Sequence, residues 1–212
     1  MRTDRGFDRF ITLLDAVVAI AITLLVLPLA DILGGAHLPP DAAAAFVQNG
    51  SRFWVFLLSF AVIARLWMAH HRLVERVGAY DNAFILVNLG WALTIVFLPF
   101  ATQLAAVYPA HDRVAVGAYI GTITVSSVFL TAMGLLVWRR PELRREGVDQ
   151  QDVAPRVLLV NTAAFAVALA LGTALPRVNY FALLLLFLTG PVDRAVARRV
   201  ARKSLDSQVR AG

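Results

Sequence analysis

Six long apolar segments constrain this chain more than any other feature of its sequence. An α-helix rises about 1.5 Å per residue, so about twenty apolar residues cross the roughly 30 Å hydrocarbon core of a bilayer. The six segments cover residues 10–32, 51–77, 82–107, 114–138, 157–175 and 180–192. The sequence therefore predicts an all-α polytopic membrane protein with six transmembrane helices.

The overall composition agrees with a membrane protein of one domain. Hydrophobic residues make up 59% of the chain and charged residues 16%, whereas soluble domains usually contain about 45–50% and about 25%. We expect one six-helix transmembrane domain over residues 1–203 and a flexible C-terminal tail over residues 204–212. The chain has no cysteine, which excludes disulfides, thiolate metal sites and thiol nucleophiles.

The basic residues are concentrated in a few polar segments. The formal net charge is +6, and nineteen of the twenty basic residues are Arg. They cluster at the N-terminus, in residues 70–80, in residues 139–156 and in the tail. Because basic residues resist translocation, we expect both termini in the cytoplasm and a multi-pass protein of the cell inner (plasma) membrane. No nucleic-acid partner is expected, since no soluble domain is available to present the charge.

Ionisable residues inside the apolar segments mark positions that face protein or water, because a charge in lipid is costly. Asp15 lies in the first segment, and Arg65 and His70 lie in the second. Asp15 follows Arg9 by six positions, so the two side chains point in different directions on a helix. The sequence therefore predicts that Asp15 pairs with Arg65 or His70 across a helix hairpin. The alternative for Arg9 and Arg65 is that they reach lipid headgroups.

One face of the first segment carries a narrow apolar stripe. Ile20, Leu24 and Leu27 recur at positions i, i+4 and i+7, with Thr23 about 60° to their side. Taken alone, such a stripe indicates lipid contact or helix packing. If Ile20 instead faced a pore, Asp15 would face protein, because five positions rotate a helix by about 140°.

Three groups of residues form a distinctive combination in this sequence. The first is RFITLLD at residues 9–15, followed by an apolar helix that ends in Leu27-Pro28; the second is Trp67 with His70-His71; the third is Asn88 with FLPF at residues 97–100. Together they resemble the TMEM175 potassium-channel family, whose signature in the first helix is R-x-x-x-F-S-D before an L-P ending. Leu13 and Leu14 replace its Phe and Ser, so the serine hydroxyl of that signature is missing here.

The resemblance implies a cation channel with a preference for potassium, which lacks the T-V-G-Y-G carbonyl filter of ordinary potassium channels. In the family the first helices line a central pore. By that resemblance Ile20 is the narrowest layer, and Leu24 and Leu27 form further hydrophobic rings. Thr23 corresponds to a threonine layer that offers an oxygen to a passing ion.

The resemblance also implies an interhelical network and an assembly. Arg9, Asp15, Trp67 and His70 match family positions that tie the first helix to its neighbours, and Arg65 is a further candidate for this network. One helix cannot enclose a pore, so we expect a homotetramer in the lipid bilayer, as in bacterial members of the family. No cofactor is expected, and the potassium ion is the permeant species.

A small secondary transporter is the main alternative function. Transporters use polar groups near the bilayer midplane and broken helices. The candidate polar groups are Asn88, Thr94, Ser126, Ser127, Thr131 and Asn161, and the candidate helix breaks are Pro28 and Pro99. Scattered Ser and Thr more often mediate helix packing. A non-conducting membrane assembly protein is a further alternative, because the serine of the signature is missing.

An enzyme and a metal site are not expected from this sequence. The chain contains no H-E-x-x-H, no G-x-S-x-G and no paired-carboxylate arrangement, which are the patterns of common hydrolytic sites. Adjacent His70 and His71 project about 100° apart on a helix, so they do not jointly chelate a metal.

Overall fold

The computed structural model describes residues 4–34, 38–109 and 111–174. Within these ranges the chain forms α1 (Asp4–Leu24), α2 (Leu27–Gly34), α3 (Ala42–Gln48), α4 (Gly50–Val74), α5 (Asn82–Val107), α6 (Arg113–Arg139), a 3-10 helix (Pro141–Leu143) and α7 (Arg156–Ala174). For this part of the chain the all-α class is confirmed. The predicted sixth span, residues 180–192, and the tail, residues 204–212, lie outside the described residues.

The first five predicted spans coincide with helices that are long and apolar enough to cross a membrane. These helical segments are Arg5–Gly34, Gly50–Val74, Asn82–Val107, Arg113–Arg139 and Arg156–Ala174. Their ends agree with the predicted ends to within a few residues, except that the first segment starts earlier. The number of spans in the whole chain and the side of the membrane on which each terminus lies stay predictions.

The first span consists of two helices rather than one. The amides of Leu25 and Val26, between α1 and α2, each donate to a carbonyl three residues back at 3.3 Å. Pro28 accounts for this break, because proline has no N–H and its ring clashes with the carbonyl four residues earlier. Pro99, by contrast, lies inside α5, which continues through it.

The core of the protomer forms around α6. This helix packs against α4, α5 and α7, and half of its most apolar stretch, 50%, is buried. Two glycines allow the close approach. A Cβ atom at Gly90 would lie 2.5 Å from the ring of Phe129, and one at Gly134 would lie 2.6 Å from Leu158. A larger side chain at either position would therefore require the Phe129 ring or the Leu158 side chain to move.

Hydroxyl groups join the helices inside the core. Ser59 Oγ lies 2.9 Å from the hydroxyl of Tyr119, and Thr102 Oγ1 donates to Ser59 Oγ at 3.0 Å. These bonds link α4, α5 and α6. Between α6 and α7, the hydroxyl of Thr162 lies 2.7 Å from that of Ser127. Such bonds between helices are a common way in which Ser and Thr stabilise packing in membrane proteins.

At one end of the bundle the α4–α5 turn pairs with the loop that follows α6. The amide of Arg145 donates to the carbonyl of Arg76 at 2.9 Å. A Cβ atom at Gly78 would lie 2.8 Å from the Cα of Arg145, so this close approach requires glycine. Because the two segments, residues 75–81 and 139–146, carry five of the chain's Arg residues, we refer to this end as the basic end.

The opposite end, which we refer to as the distal end, contains α2 and α3. The sequence did not predict α3, which lies in the loop after the first span. Its N-cap is Asp41, whose carboxylate accepts a 2.7 Å hydrogen bond from the amide of Ala44. Phe46 of α3 stacks on Phe53 of α4 with ring centroids 4.8 Å apart, and this contact holds the short helix against the bundle.

Candidate functional site

The first span has one face buried in the protomer and one face exposed. α1 packs against α4 and α5. The buried face carries Phe7, Leu14, Val18, Ala21 and Leu25. On the other side Ile20, Leu24 and Leu27 are 59%, 39% and 54% exposed. The three predicted constriction residues therefore share one exposed face, which we refer to as the exposed stripe.

Thr23 lies on the same exposed side, next to Leu24. Its hydroxyl donates a 2.8 Å hydrogen bond to the carbonyl of Ile20. This bond uses the proton of the hydroxyl and leaves lone pairs on its oxygen, which are able to accept from water or contact a cation. Thr23 thus adds an oxygen to an otherwise apolar side of the helix.

Asp15 lies half-buried where α1 meets α4. Its Oδ1 accepts a 2.9 Å hydrogen bond from Nε1 of Trp67. The Trp67 ring also stacks on His71, one turn later on α4, with centroids 5.3 Å apart. Hydrogen bonds to an ionised carboxylate are stronger than neutral ones. The structure therefore brings together two residues of the predicted network, Asp15 and Trp67, and uses them to join α1 to α4.

His70 is bonded to α5 rather than to α1. The His70 side chain is buried, its Nε2 lies 2.8 Å from Oδ1 of Asn88, and its ring stacks on Trp91 with centroids 4.0 Å apart. The amide nitrogen of Asn88 donates to the carbonyl of Phe84 at 2.7 Å. With the amide assigned in this way, its oxygen is the acceptor and His70 Nε2 carries a proton. His70 therefore links α4 to α5, whereas the sequence predicted it as a partner of Asp15.

The two predicted arginines lie in different surroundings. Arg65 of α4 is half-buried and donates a 3.2 Å hydrogen bond to Oδ1 of Asn161 on α7. This contact links α4 to α7, which the sequence did not predict. Arg9 lies on α1 with an exposed side chain in the single protomer, so lipid or another subunit is able to reach it.

Sequence analysis did not predict the bonding partners of two side-chain amides, that of Asn88, which is buried, and that of Asn161, which is half-buried. Asn88 was named as part of a family motif, and both residues were named as candidate polar groups for the transporter alternative. A usable signal was present, because a polar group buried in a span must be hydrogen-bonded and few ionisable side chains lie in these spans. Pairing Asn88 with His70 and Asn161 with Arg65 was one way to satisfy that requirement.

The arrangement is suited to bracing helices rather than to holding a metal. His70 contacts Asn88 and Trp91, whereas His71 contacts Trp67 and Glu75, the latter at 3.4 Å. Nowhere in residues 4–34, 38–109 or 111–174 do three His, Asp or Glu side chains come together as a metal site.

The sequence of this chain matches a known family of channels. The family model described as endosomal/lysosomal potassium channel TMEM175 matches residues 9–99. These residues include most of α1, all of α2 to α4 and most of α5. They therefore include the exposed stripe and the Asp15–Trp67 and His70–Asn88 contacts.

Individual relatives agree with the family match. A potassium channel of Chamaesiphon minutus is 29% identical over 182 residues, which are 80% of this chain and 90% of that protein. A potassium channel of Streptomyces collinus is 32% identical over 125 residues, 57% of this chain and 56% of that protein. The human endosomal/lysosomal proton channel TMEM175 is 30% identical over 105 residues, 48% of this chain but only 20% of the human protein.

A solved structure agrees with the fold. The crystal structure of a lysosomal potassium-selective channel TMEM175 homolog from Chamaesiphon minutus superposes with a TM-score of 0.57 and 26% sequence identity. The superposition covers 88% of this chain and 98% of that one.

Proposed function

Because the chain belongs to the TMEM175 family, a family of channels rather than of enzymes, we propose that it is a potassium-preferring cation channel. Conduction is passive and runs through a central pore lined by the first span of each subunit in a homotetramer. Ile20, Leu24 and Leu27 form the hydrophobic constriction, and Thr23 is the selectivity layer. Potassium is the permeant ion, and the channel has no cofactor.

The exposed stripe is the observation that carries this proposal. A pore-lining helix needs one face packed on its own protomer and another free to meet the other subunits and the ion path. α1 has both faces. Ala16 and Ala19 are also exposed on this side, and small residues allow neighbouring helices to approach closely. Together with the Thr23 hydroxyl, they favour a surface shared between subunits over one that only contacts lipid.

A ring of branched apolar side chains gates ions by excluding water. Four copies of Ile20 around an axis would block hydrated ions when close together and admit water after a small rotation or dilation. The break between α1 and α2 supports such a movement, because Pro28 removes a backbone hydrogen bond at this point. Leu27, on α2, is therefore able to move relative to Ile20, on α1.

The hydrogen bonds behind the exposed stripe act as its support. Asp15 and Trp67 join α1 to α4, and His70 and Asn88 join α4 to α5. A side chain that must sit at an axis needs such support, because small rotations of its helix would turn it away. Asp15, Trp67, His70 and Asn88 are positioning residues in this proposal, and Arg65 extends the support to α7.

Five helices in the described ranges have the length and composition of membrane spans, and the family consists of channels, so the chain is a membrane protein. We place it in the cell inner (plasma) membrane with the basic end in the cytoplasm. The Arg residues at this end would be held on the side from which the chain is inserted.

Purified protein in liposomes under a potassium gradient tests the proposal. We expect a potassium flux that needs no second solute, and Ile20→Ala should raise the flux or loosen the preference for potassium over sodium. Leu93→Ala is the matched control, because Leu93 is an apolar residue on α5 that is 69% exposed. It should leave the flux unchanged.

Three other outcomes would contradict the proposal. Flux strictly coupled to a second solute would favour a secondary transporter, and no flux of any ion would favour an assembly protein. Equal changes in Ile20→Ala and Leu93→Ala would remove the pore assignment of the exposed stripe. Because the human relative is named a proton channel, proton flux is measured in the same liposomes.

A further inference from the structure

Asp31 extends the exposed stripe toward the distal end. It lies on α2, four residues after Leu27, so the two side chains share one face of the helix. Asp31 is exposed, as Leu27 is. The buried residues of α2 are Pro28 and Ile32, so Asp31 does not belong to the buried face. The stripe therefore changes from apolar to acidic one turn beyond Leu27.

The contact that Asp31 makes with the described residues leaves its negative charge available. Its Oδ2 accepts a 3.3 Å hydrogen bond from Nε2 of Gln103 on α5. Gln103 is uncharged, so this contact orients the carboxylate without neutralising it. Two other carboxylates at this end serve as helix N-caps: Asp41 accepts from the amide of Ala44, and Asp112 accepts from the amides of Val114 and Ala115.

We propose that Asp31 attracts cations to the distal mouth of the pore. This inference rests on the proposed function, because four copies of α2 around one axis place four carboxylates in a ring just beyond the Leu27 ring. Rings of Asp or Glu at a pore entrance raise the local concentration of cations and repel anions. Asp31 thus determines how fast cations reach the hydrophobic constriction, whereas the constriction itself determines whether they pass.

Single-channel recordings in symmetric potassium chloride test this role. At about 10 mM salt the Debye length is about 30 Å, so the field of the ring extends well into the solution, whereas at about 1 M it is about 3 Å. We expect Asp31→Asn to lower the unitary conductance about two- to ten-fold at the low salt concentration and to have little effect at the high one. The loss should be larger for ions that enter from the distal side, which makes the current rectify.

Two further variants separate charge from structure. Asp31→Glu retains the charge and should restore the conductance of the unaltered protein. Asp41→Asn removes a charge at the same end but off the stripe, and asparagine also caps helices, so its conductance should not change. A conductance in Asp31→Asn that equals the unaltered one at low salt would overturn the role of Asp31, as would equal losses in Asp31→Asn and Asp41→Asn.

The result for the unaltered protein distinguishes the two proposals. If it passes no current, the channel function fails and the role of Asp31 fails with it. If it conducts, and its current changes in Ile20→Ala but not in Asp31→Asn, the channel function stands and only the proposed role of Asp31 is wrong.

Discussion

The two faces of α1 both carry large apolar side chains but have different surroundings. Leu14, Val18 and Ala21 are almost fully buried against α4 and α5, whereas Ile20 and Leu24 are 59% and 39% exposed. In a soluble protein an exposed apolar face of this kind would indicate an interface with another molecule. In a membrane chain the lipid is as apolar as leucine, so hydrophobicity does not distinguish a packed face from a free one. Only the contacts in the folded protomer distinguish them.

The adjacent residues Leu13 and Leu14 give the sharpest test of this comparison. They have the same side chain on the two faces, 56% and 1% exposed. Leu14→Ala should lower the free energy of unfolding of the protomer by about 2–5 kcal/mol, because it leaves a cavity in packed surroundings. Leu13→Ala should change it by less than about 0.5 kcal/mol. Unfolding of both variants in the same detergent, followed by circular dichroism, measures the difference.

Similar losses for the two leucine variants would mean that the exposed side of α1 is packed within the protomer. The face would then have no room for other subunits, and the pore assignment of Ile20 would lose its basis.

The hydrogen bond between Asp15 and Trp67 should contribute less than the buried leucine. Trp67→Phe retains an aromatic ring beside His71 but removes the N–H that donates to Asp15. A half-buried carboxylate then lacks this donor, which typically costs about 1–3 kcal/mol. We expect a lower unfolding free energy and, because α1 is less firmly held, a weaker preference for potassium over sodium.

Trp54→Phe is the control for the tryptophan variant. Trp54 lies on the same helix, α4, but is 50% exposed. Its substitution should leave both the unfolding free energy and the ion preference as they are. If Trp67→Phe also leaves the unfolding free energy and the ion preference unchanged, Asp15 does not position the pore helix.

The layout of the fold could be predicted because it depends on length and composition. Five spans were located to within a few residues, since a run of about twenty apolar residues has few other stable arrangements in a membrane. The division of the first span into α1 and α2 was less accessible. Pro28 signals a break, but Pro99 has the same chemistry and leaves α5 continuous, so the neighbouring packing decides the outcome.

The partners of the polar side chains could not be predicted, because they depend on how each helix is rotated. Trp67 and His70 are three positions apart on α4 and lie near the same end. A modest rotation of α4 would decide which of them meets Asp15, and no periodicity in the sequence fixes that angle. The same argument applies to Arg65, whose hydrogen bond to Asn161 requires α7 to lie beside α4. The spacing of residues predicted that these groups need partners, but not which partners they have.

Cysteine accessibility tests most directly whether the exposed stripe faces the ion path. The chain contains no cysteine, so Ile20→Cys introduces a single thiol per subunit. Silver ions applied to the conducting variant should block its potassium current, whereas the current of Val18→Cys, at a position 3% exposed, should persist. A fully conducting Ile20→Cys channel that silver does not block, or equal block of both variants, would contradict a pore lined by this face of α1.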